Sequence, residues 1–509
     1  MNARAVAAAL GIALVAEAAA AGWHLLWEDV ERFDLSRGYA VVVSPEGTDD
    51  GLYVAGSFKE TNWFAVVRKL GPFGVLRWTF TRQGSVVSPD AGDAVRALAF
   101  HPSGDLIVGG RVWNGAAQHL DGWLARCTPV GATAWSLDFN GAYSGSDSVE
   151  SVSCTLSPTG DIWAAGRVGD GAGQGDLWVG CFTDAGGIKT VSFWPDAYGL
   201  DDSALAVVAA PSGSAYAAGY VSLPGRGKDI WIGKFSKNAA LLGYVTIDGT
   251  AGADDYASGL ALEPDGTLVV TGATTTAGRN LDAWIGHFAD SGTAFTVQWL
   301  WSVTLDGGEG DNDLVACVAT DPAAGAVFVT GMVDRPTSVF GDVWTAAFSP
   351  AGALTWEQDR DFSGHYQDEG RGIAYDAAAA RLAVVGSVYA DDNTFRFYTA
   401  VFENSSTTMA TSVIPTGVRA YPHPYRPGSG GGQDAAGVVL NGTGAGATVR
   451  IYTLRGELVA ELTDTDGDAQ VAWDGTNQGS GKAAASGVYV YIVTPLKGSR
   501  ARGKLVIVR

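Results

Sequence analysis

A strand-like segment that ends in glycine recurs seven times in this chain of 509 residues, at intervals of 53 to 59 residues. The copies end at Gly56, Gly110, Gly166, Gly219, Gly272, Gly331 and Gly386. A period of this length that covers most of a chain predicts a repeat architecture, because each unit is too small to bury both of its faces alone. Neighbouring units must therefore stack face to face.

Each repeat contains four short strand-like runs separated by turns rich in Gly, Pro, Ser and Asp. The run after the glycine strand carries the pattern Asp-x-Trp-x-small, with its tryptophan at Trp123, Trp178, Trp231, Trp284 and Trp344 and degenerate copies at Trp63 and Tyr398. Four strands per unit in a stacked series are typical of β-propeller blades. The sequence therefore predicts an all-β protein with a seven-bladed β-propeller.

The two ends of the repeat region complement each other. The seventh unit ends near Phe402 without a fourth strand, whereas a spare strand, WHLLWEDVERF around Trp27, precedes the first unit. We predict that this N-terminal strand completes the last blade, which would leave no frayed edge in the ring.

The first residues are typical of an export signal. Arg4 supplies positive charge, residues 5–15 form a short apolar run, and small residues at 18–21 offer a cleavage site. A buried N-terminal helix is the alternative, but the segment has no polar face. We expect residues 1–21 to be a signal peptide, the mature chain to be secreted or attached at the outer surface, and no transmembrane segment after signal removal.

Charge and cysteine content limit the classes of partner. The formal net charge of −21 would repel phosphate backbones and anionic lipid, which disfavours nucleic-acid and peripheral-membrane roles. Export would permit disulfides, but no two cysteines have CxxC spacing. We expect all four to be buried as small apolar side chains; they are Cys127, Cys154, Cys181 and Cys317.

These markers are clearest together in residues 254–288, DDYASGLALEPDGTLVVTGATTTAGRNLDAWIGHF. On them, the repeats resemble the seven-bladed β-propeller repeat family of secreted bacterial proteins, across all seven units. The resemblance implies the propeller fold for residues 22–408 and implies no activity, since propellers serve in both binding and catalysis.

A different β unit follows the repeats. Residues 409–418 are predicted to be a linker, and residues 419–509 a small β-sandwich of alternating strands. Its motifs are YPHPYRP at 421–427, IYTLRGELV at 451–459, WDGTN at 473–477 and ASGVY at 485–489. They resemble the FlgD-type immunoglobulin-like domain and the related type IX secretion sorting domains of secreted bacterial proteins. The resemblance implies a sorting or attachment role and contact with secretion machinery.

A carboxylate recurs just before the first strand of most repeats, at Asp93, Asp202, Asp255, Asp313 and Asp368, joined by Asp34 and Asp147 where loop lengths vary. Such a residue commonly caps a turn by accepting backbone N–H bonds, and we favour that structural role. The alternative is weak Ca²⁺ binding with Asp255, Asp311 and Asp313 among the ligands, because calcium takes several oxygen ligands from flexible loops. No other cofactor is expected.

The recurring tryptophans could stack on sugar rings, but their fixed place inside a strand favours packing between blades. Residues in loops that do not repeat are better candidates for contact with a ligand. These are His365, Tyr366 and Asp368 in SGHYQDEG, and Arg226 and Lys228 in LPGRGKD.

No sequence motif of catalysis is present. The six histidines lack metal-ligand spacing, and the chain has no GxSxG, HExxH or phosphate-loop pattern. We favour a non-catalytic propeller that binds an extracellular protein or glycan. The alternatives are a secreted polysaccharide-active enzyme, whose paired carboxylates would come from distant blades, and a structural component of a surface layer.

Overall fold

The structure is a computed structural model that describes residues 12–509 apart from several segments. Those outside the description, together with 1–11, are 14–22, 31–34, 45–50, 72–73, 75, 86–91, 115–118, 142–144, 156–159, 170–173, 195–197, 250–251, 277–279, 291, 293–294, 309–311, 336–340, 363–366, 390–393, 405–418, 422–424, 426–436, 442, 444–445, 454, 466–469 and 495–500. All the regular elements in the described ranges are β-strands. None of the described residues belongs to a helix long and apolar enough to cross a membrane.

Two strands precede the repeats, β1 (Ile12–Ala13) and β2 (Trp23–Val30), and they pair antiparallel. The β1 strand lies within the predicted signal peptide. The side chain of Trp27 in β2 is buried. Both strands belong to the last sheet of the repeat region, which is described below.

The first three sheets each contain four consecutive antiparallel strands. Sheet 1 is β3 (Ser36–Val43), β4 (Leu52–Lys59), β5 (Trp63–Leu70) and β6 (Leu76–Arg82); sheet 2 is β7 (Ala94–Phe100), β8 (Leu106–Asn114), β9 (His119–Cys127) and β10 (Thr133–Phe139); sheet 3 is β11 (Ser148–Cys154), β12 (Ile162–Gly169), β13 (Gly175–Phe182) and β14 (Ile188–Phe193).

The next three sheets repeat this order. Sheet 4 is β15 (Ser203–Ala209), β16 (Ala215–Leu223), β17 (Gly227–Phe235) and β18 (Leu241–Ile247); sheet 5 is β19 (Tyr256–Leu262), β20 (Leu268–Thr275), β21 (Leu281–Asp290) and β22 (Val297–Leu305); sheet 6 is β23 (Leu314–Thr320), β24 (Val327–Val333), β25 (Asp342–Phe348) and β26 (Leu354–Arg360).

Sheet 7 is built from both ends of the repeat region. It contains β27 (Glu369–Asp376), β28 (Arg381–Tyr389) and β29 (Phe395–Asn404), with β2 beside β29 and β1 at the edge. The N-terminal strand thus occupies the place that a fourth strand has in the other sheets.

Successive sheets pack on one another. Five hydrophobic clusters each combine buried side chains of two neighbouring sheets, from sheets 1 and 2 through to sheets 5 and 6. The first strand of each sheet contacts the first strand of the next, and β27 contacts β3. Repeated four-stranded antiparallel sheets stacked in this way form a propeller-like fold, as the sequence predicts at this level of detail.

Steric crowding explains why glycine recurs at this position of the repeat. In each sheet the glycine lies on the second strand, where an added Cβ would come within 1.9 to 2.1 Å of a backbone carbonyl oxygen of the first strand. That separation is far below any tolerated contact, so only a residue without a side chain fits. The glycine therefore marks the closest approach of the two strands.

Each strand-internal tryptophan lies on the third strand of its sheet, where it pairs with the repeat glycine of the second strand. Gly110 pairs with Trp123 and Gly219 with Trp231, and the other three copies follow the same register. All five tryptophans are buried, at most 4% exposed. Each belongs to one of the hydrophobic clusters between neighbouring sheets, where buried aromatic side chains supply a large packing area.

The register corrects one sequence assignment. The pattern places the first tryptophan marker at Trp63, but Gly56 pairs with Val66, so Val66 occupies that position in sheet 1. Trp63 instead pairs with Lys59 at the end of the strand. The short pattern NWFAV allows both alignments, and strand pairing decides between them. In sheet 7 the partner of Gly386 is Tyr398, as predicted.

The chain divides into two compact units. The first comprises Met1–Ala16, Leu25–Leu70 and Trp78–Glu403, and the second comprises Glu17–His24, Gly71–Arg77 and Asn404–Arg509. The four cysteines lie in the first unit, and all are free thiols. Burial raises the pKa of the Cys127 and Cys181 thiols to about 11, which keeps them protonated and unreactive at neutral pH.

The second unit contains two larger sheets and a small hairpin around one core. The strands are β30 (Arg419–Tyr421), β31 (Val438–Asn441), β32 (Thr448–Thr453), β33 (Leu458–Thr463), β34 (Gln470–Trp473), β35 (Thr476–Asn477), β36 (Lys482–Ala483), β37 (Gly487–Thr494) and β38 (Ala501–Ile507). Their sheet orders are β30-β31-β34, β33-β32-β37-β38 and β35-β36. Trp473 is 1% exposed in a core shared by the two larger sheets.

Candidate functional site

The first strand of every repeat sheet contains a β-bulge, where one residue is skipped in the pairing with the second strand. The skipped residues are Tyr39, Arg96, Glu150, Leu205, Ser258, Ala316 and Arg371. Bulges re-aim a side chain and are frequent beside functional sites. Because the first strands contact one another in series, these seven positions are neighbours although they span more than 300 residues of sequence.

The repeated aspartate lies three residues before the bulge in six sheets and is at most 1% exposed in each. The six are Asp93, Asp147, Asp202, Asp255, Asp313 and Asp368. Asp313 is typical, since its carboxylate accepts the backbone N–H of Gly307 at 2.7 Å and of Asp334 at 2.6 Å. Gly307 follows the fourth strand of sheet 5, so the carboxylate joins that strand end to sheet 6. This is the geometry of a backbone cap.

In sheet 1 this position holds Ser36, whose hydroxyl oxygen accepts the backbone N–H of Phe397 in sheet 7 at 2.8 Å. Asp34, which the sequence groups with the repeated aspartates, lies outside the described residues. The first sheet thus uses a hydroxyl where the others use a carboxylate.

Four of the bulge residues interact directly. The guanidinium of Arg96 lies 4.4 Å from the ring centre of Tyr39, and that of Arg371 lies 5.1 Å from the same ring. Arg96 Nε donates to Glu150 Oε2 at 2.7 Å. Arg371 pairs with Glu369 at 2.5 Å. Two arginines from different sheets therefore flank one tyrosine on sheet 1.

Two further arginines act on the same tyrosine. Burial alone would raise the pKa of Tyr39, but Arg96, Arg371, Arg37 and Arg111 outweigh it and lower the pKa to about 8. Positive charge near a phenol favours its ionised form. We call Arg37, Tyr39, Arg96, Arg111, Glu150, Glu369 and Arg371 the arginine cluster.

The arginine cluster has four cationic and two carboxylate side chains, in a chain whose formal net charge is −21. The side chains of Arg96 and Arg371 remain 23% and 27% exposed. The carboxylate of Glu150 has its pKa lowered, because Arg96 and Arg111 outweigh the effect of burial. The cluster thus combines excess positive charge with access to solvent.

The other three bulge residues are small or apolar. They are Leu205, Ser258 and Ala316 on sheets 4, 5 and 6. The hydroxyl of Ser258 donates to the carbonyl of Val315 on the next sheet. The bulge positions therefore carry charged side chains on sheets 7, 2 and 3, with Tyr39 between them on sheet 1, and uncharged side chains on sheets 4 to 6.

Two groups of three carboxylates lie between neighbouring sheets, one between sheets 4 and 5 and the other between sheets 5 and 6. In carboxylate cluster 1, formed by Asp229, Asp248 and Asp255, one oxygen of each residue lies within 4.8 Å of the others. Carboxylate cluster 2 is formed in the same way one sheet further on; its members are Asp282, Asp306 and Asp313. Each cluster combines the Asp of the Asp-x-Trp pattern, a residue after the fourth strand and the repeated Asp.

The predicted metal ligands are therefore separated. Asp255 and Asp313 lie in different carboxylate clusters, and Asp311 lies outside the described residues. Sequence reasoning missed Asp229, Asp248, Asp282 and Asp306. A periodic signal was available, because Asp248 and Asp306 both stand seven residues before the repeated Asp.

The residues predicted to contact a ligand from loops lie in different environments. Arg226 is 47% exposed and pairs with Asp248 and Asp229, while Lys228 lies 3.9 Å from the Tyr220 ring centre. His365 and Tyr366 lie outside the described residues.

Asp368 corrects the expectation of an exposed ligand. It is fully buried, and its oxygens accept the backbone N–H groups of Phe362 at 2.9 Å and Tyr389 at 2.6 Å. Burial raises its pKa to about 7, although those two hydrogen bonds act in the opposite direction. Asp361 and Asp342 contribute to the rise.

The sequence did not identify the arginine cluster, although a signal exists. The bulge residue stands three positions after each repeated Asp, and this position carries Arg, Glu, Leu, Ser, Ala and Arg in sheets 2 to 7. In sheets 2 to 7 the Asp is constant, whereas the residue three positions after it changes in size and charge. That contrast is the signal.

Comparisons with known proteins give little further information. No protein-family model and no curated protein sequence matches the chain. Among solved structures, it is similar to PorZ of Porphyromonas gingivalis, described as an essential surface component of the type-IX secretion system, at 16% identity and a TM-score of 0.39. That similarity covers 91% of this chain, which spans 61% of PorZ.

A second similar structure is a protein of unknown function from Dyadobacter fermentans, with 12% identity and a TM-score of 0.44. The similarity covers 75% of this chain and 99% of that one. At such identities and TM-scores, neither similarity supports an argument about the function of this chain.

Proposed function

We propose that this chain is an exported, non-catalytic binding protein of the cell surface. A seven-bladed propeller would recognise an extracellular protein or glycan, and the C-terminal unit would serve in sorting or attachment. The observation that carries the binding role is the arginine cluster, where an acidic protein keeps four arginines together beside a partly exposed tyrosine.

The proposal includes closure of the ring. It is supported by the position of β2 beside β29 in sheet 7, by the contact of β27 with β3, and by the Ser36–Phe397 hydrogen bond between the first and last sheets. In a closed ring the first strands line the central channel. The seven bulge side chains would then face that channel, with the charged ones on one side.

The charge of the cluster indicates the class of partner. Arginine binds carboxylate, sulfate and phosphate groups through its planar array of donors, and it also stacks on aromatic rings. Two glutamates cannot neutralise four arginines. We therefore propose that the partner presents an anionic group, as an acidic or sulfated glycan or an acidic peptide segment does.

An array of matched neutral, carboxylated and sulfated glycans and of acidic peptides tests this proposal on the full chain. We expect binding to anionic members and a loss of at least tenfold in affinity with Arg96→Ala. Arg82→Ala is the matched control, because it removes one arginine that is as exposed as Arg96 but pairs with Asp138 between the fourth strands of sheets 1 and 2. Equal loss with both variants, or no binding to any anionic member, would contradict the proposal.

For the C-terminal unit we propose an immunoglobulin-like sandwich that directs export or attachment. Support comes from its two larger sheets around the buried Trp473 and from its sequence motifs. The test compares the location of the full chain with that of a chain lacking residues 419–509, expressed in a bacterium that has a type IX system. An unchanged location after truncation would contradict the sorting role.

A further inference from the structure

Carboxylate cluster 1 brings together residues from three separate strand ends. Asp229 lies near the start of β17, Asp248 follows the end of β18, and Asp255 directly precedes β19 on the next sheet. Antiparallel order places the start of the third strand and the end of the fourth at the same end of a sheet. The repeat topology therefore creates this meeting point.

One member of the cluster is already fixed in orientation. The carboxylate of Asp255 accepts the backbone N–H of Gly249 at 2.5 Å and of Thr275 at 2.6 Å. Each carboxylate oxygen can accept a second interaction. Asp255 is therefore a preoriented group whose remaining lone pairs are available.

Asp229 has no such hydrogen bonds. Its side chain is 0% exposed, and neither of its carboxylate oxygens accepts a hydrogen bond from any described residue. Among the described residues it forms an ion pair with Arg226, whose Nη2 lies 3.2 Å from Oδ2. A buried carboxylate without donors is costly, because folding removes its water without replacing it. With Asp248 and Asp255 within 4.8 Å of it, the single cation Arg226 leaves the negative charge of this group only partly compensated.

We propose that Asp229, Asp248 and Asp255 form a Ca²⁺ site, and that Arg226 is a counter-ion which the metal displaces. This inference is independent of partner binding at the arginine cluster. Arg226 offsets only one of the three carboxylate charges, whereas a divalent cation in its place offsets two. Arg226 is 47% exposed, so its side chain can move into solvent when the metal binds.

Calcium fits this group better than a transition metal or Mg²⁺. All the side-chain donors are hard carboxylate oxygens, which disfavours metals that prefer nitrogen or sulfur. Ca²⁺ accepts mono- or bidentate carboxylates in flexible geometry and completes its six to eight ligands with water, whereas Mg²⁺ demands near-ideal octahedral geometry. The cluster is also open to water, since Asp248 is exposed.

Carboxylate cluster 2 lacks the feature that carries this proposal. There, the carboxylate corresponding to Asp229 is Asp282, and it accepts a hydrogen bond from the Thr276 hydroxyl. Its buried charge therefore has a donor within the protein. The proposal is limited to carboxylate cluster 1 for that reason.

Calorimetric titration of the metal-free full chain with CaCl₂ at pH 7.5 tests the site. We expect Asp229→Asn to remove one bound calcium and Arg226→Gln to tighten binding severalfold, because the competing cation is gone. Asp121→Asn is the matched control, since Asp121 occupies the same strand position in β9, whereas the residue seven positions before the repeated Asp is Asn140 in sheet 2 instead of an aspartate. It should leave calcium binding unchanged.

Thermal unfolding supplies a second measurement that separates metal binding from folding. Calcium should raise the Tm of the wild-type chain and of Asp121→Asn but not that of Asp229→Asn. The proposal is overturned if Asp229→Asn binds as much calcium as wild type, or if calcium raises the Tm of both equally. Weaker binding by Arg226→Gln would overturn the counter-ion role.

Discussion

Two positions at the start of the first strand of each sheet, three residues apart, behave in opposite ways. The first holds a buried Asp in six of the seven sheets, as at Asp147, and its oxygens accept backbone N–H groups. The second is the bulge position, which carries a different kind of side chain on almost every sheet and retains access to solvent at Arg96 and Arg371. The first position builds the repeat, and the second distinguishes one sheet from another.

The difference teaches where to look for function in a repeat protein. A group that solves a problem common to all sheets, such as an unsatisfied strand end, must recur with the repeat. A partner that binds once needs a feature that occurs once. In this molecule, charge at the bulge positions is concentrated on sheets 7, 2 and 3, and this asymmetry is what the repeat itself does not require.

The largest expected loss of stability comes from substitution of the repeated Asp. Asp147→Ala leaves the N–H groups of Gly141 and Gly169 without their acceptor, at sites now bonded at 2.6 and 2.8 Å. We expect the free energy of unfolding to fall by about 2–4 kcal/mol, since each orphaned buried donor costs about 1–3 kcal/mol. Urea unfolding measures it. Leu205→Ala at a bulge should cost less than about 1 kcal/mol, and equal costs would abolish the distinction.

The steric marker of the repeat should also be sensitive. Gly272→Ala would place a Cβ 1.9 Å from the carbonyl oxygen of Tyr256, so the first two strands of sheet 5 must separate. Overpacking of this kind costs about 1–3 kcal/mol. Gly243→Ala on the fourth strand, where the nearest atom is 3.1 Å away, should cost less in the same urea experiment. The reverse order would contradict the steric explanation.

Asp368 differs from an ordinary carboxylate in its pKa, which allows one repeated Asp to be tested by pH. Its folded-state pKa of about 7 lies above the ordinary aspartate value of 3.8, so the folded protein binds a proton more tightly than the unfolded chain between these values. Its contribution to stability is therefore present below pH 4 and lost as pH rises towards 7.

We expect Asp368→Asn to flatten the fall in stability between pH 4 and 7, by on the order of 1 kcal/mol per pH unit. Urea midpoints across this range measure the slope. Asp202→Asn, at the same repeat position, serves as the comparison. An unchanged slope in Asp368→Asn would show that the residue titrates as an ordinary carboxylate.

The smallest expected effect concerns the bulge side and is spectroscopic. One tyrosine should ionise near pH 8, seen as tyrosinate absorbance, and Tyr39→Phe should abolish that transition. Arg96→Ala should move it to higher pH, because a cation close to the ring is lost. A titration of Tyr39 with no transition below pH 9.5 would remove the electrostatic distinction between the two sides of the bulge positions.

The sequence by itself determined the repeat, its four strands, the positions of the glycines and tryptophans and the recurrence of the buried Asp. Each of these is set by local chemistry, such as a Cβ that cannot fit or a strand end that needs an acceptor, and local chemistry recurs visibly along a chain. The ambiguous first copy shows the limit, since only pairing with Gly56 identified Val66 instead of Trp63.

Tertiary structure alone decided the composition of the candidate sites. Tyr39 and Arg371 lie 332 positions apart in sequence and 5.1 Å apart in space. Asp229 meets Asp248 at one end of sheet 4 and Asp255 at the start of sheet 5. The stacking of sheets, and the bulge that re-aims one side chain on each first strand, bring these groups together. Sequence spacing cannot encode such contacts, because each depends on how separate sheets pack.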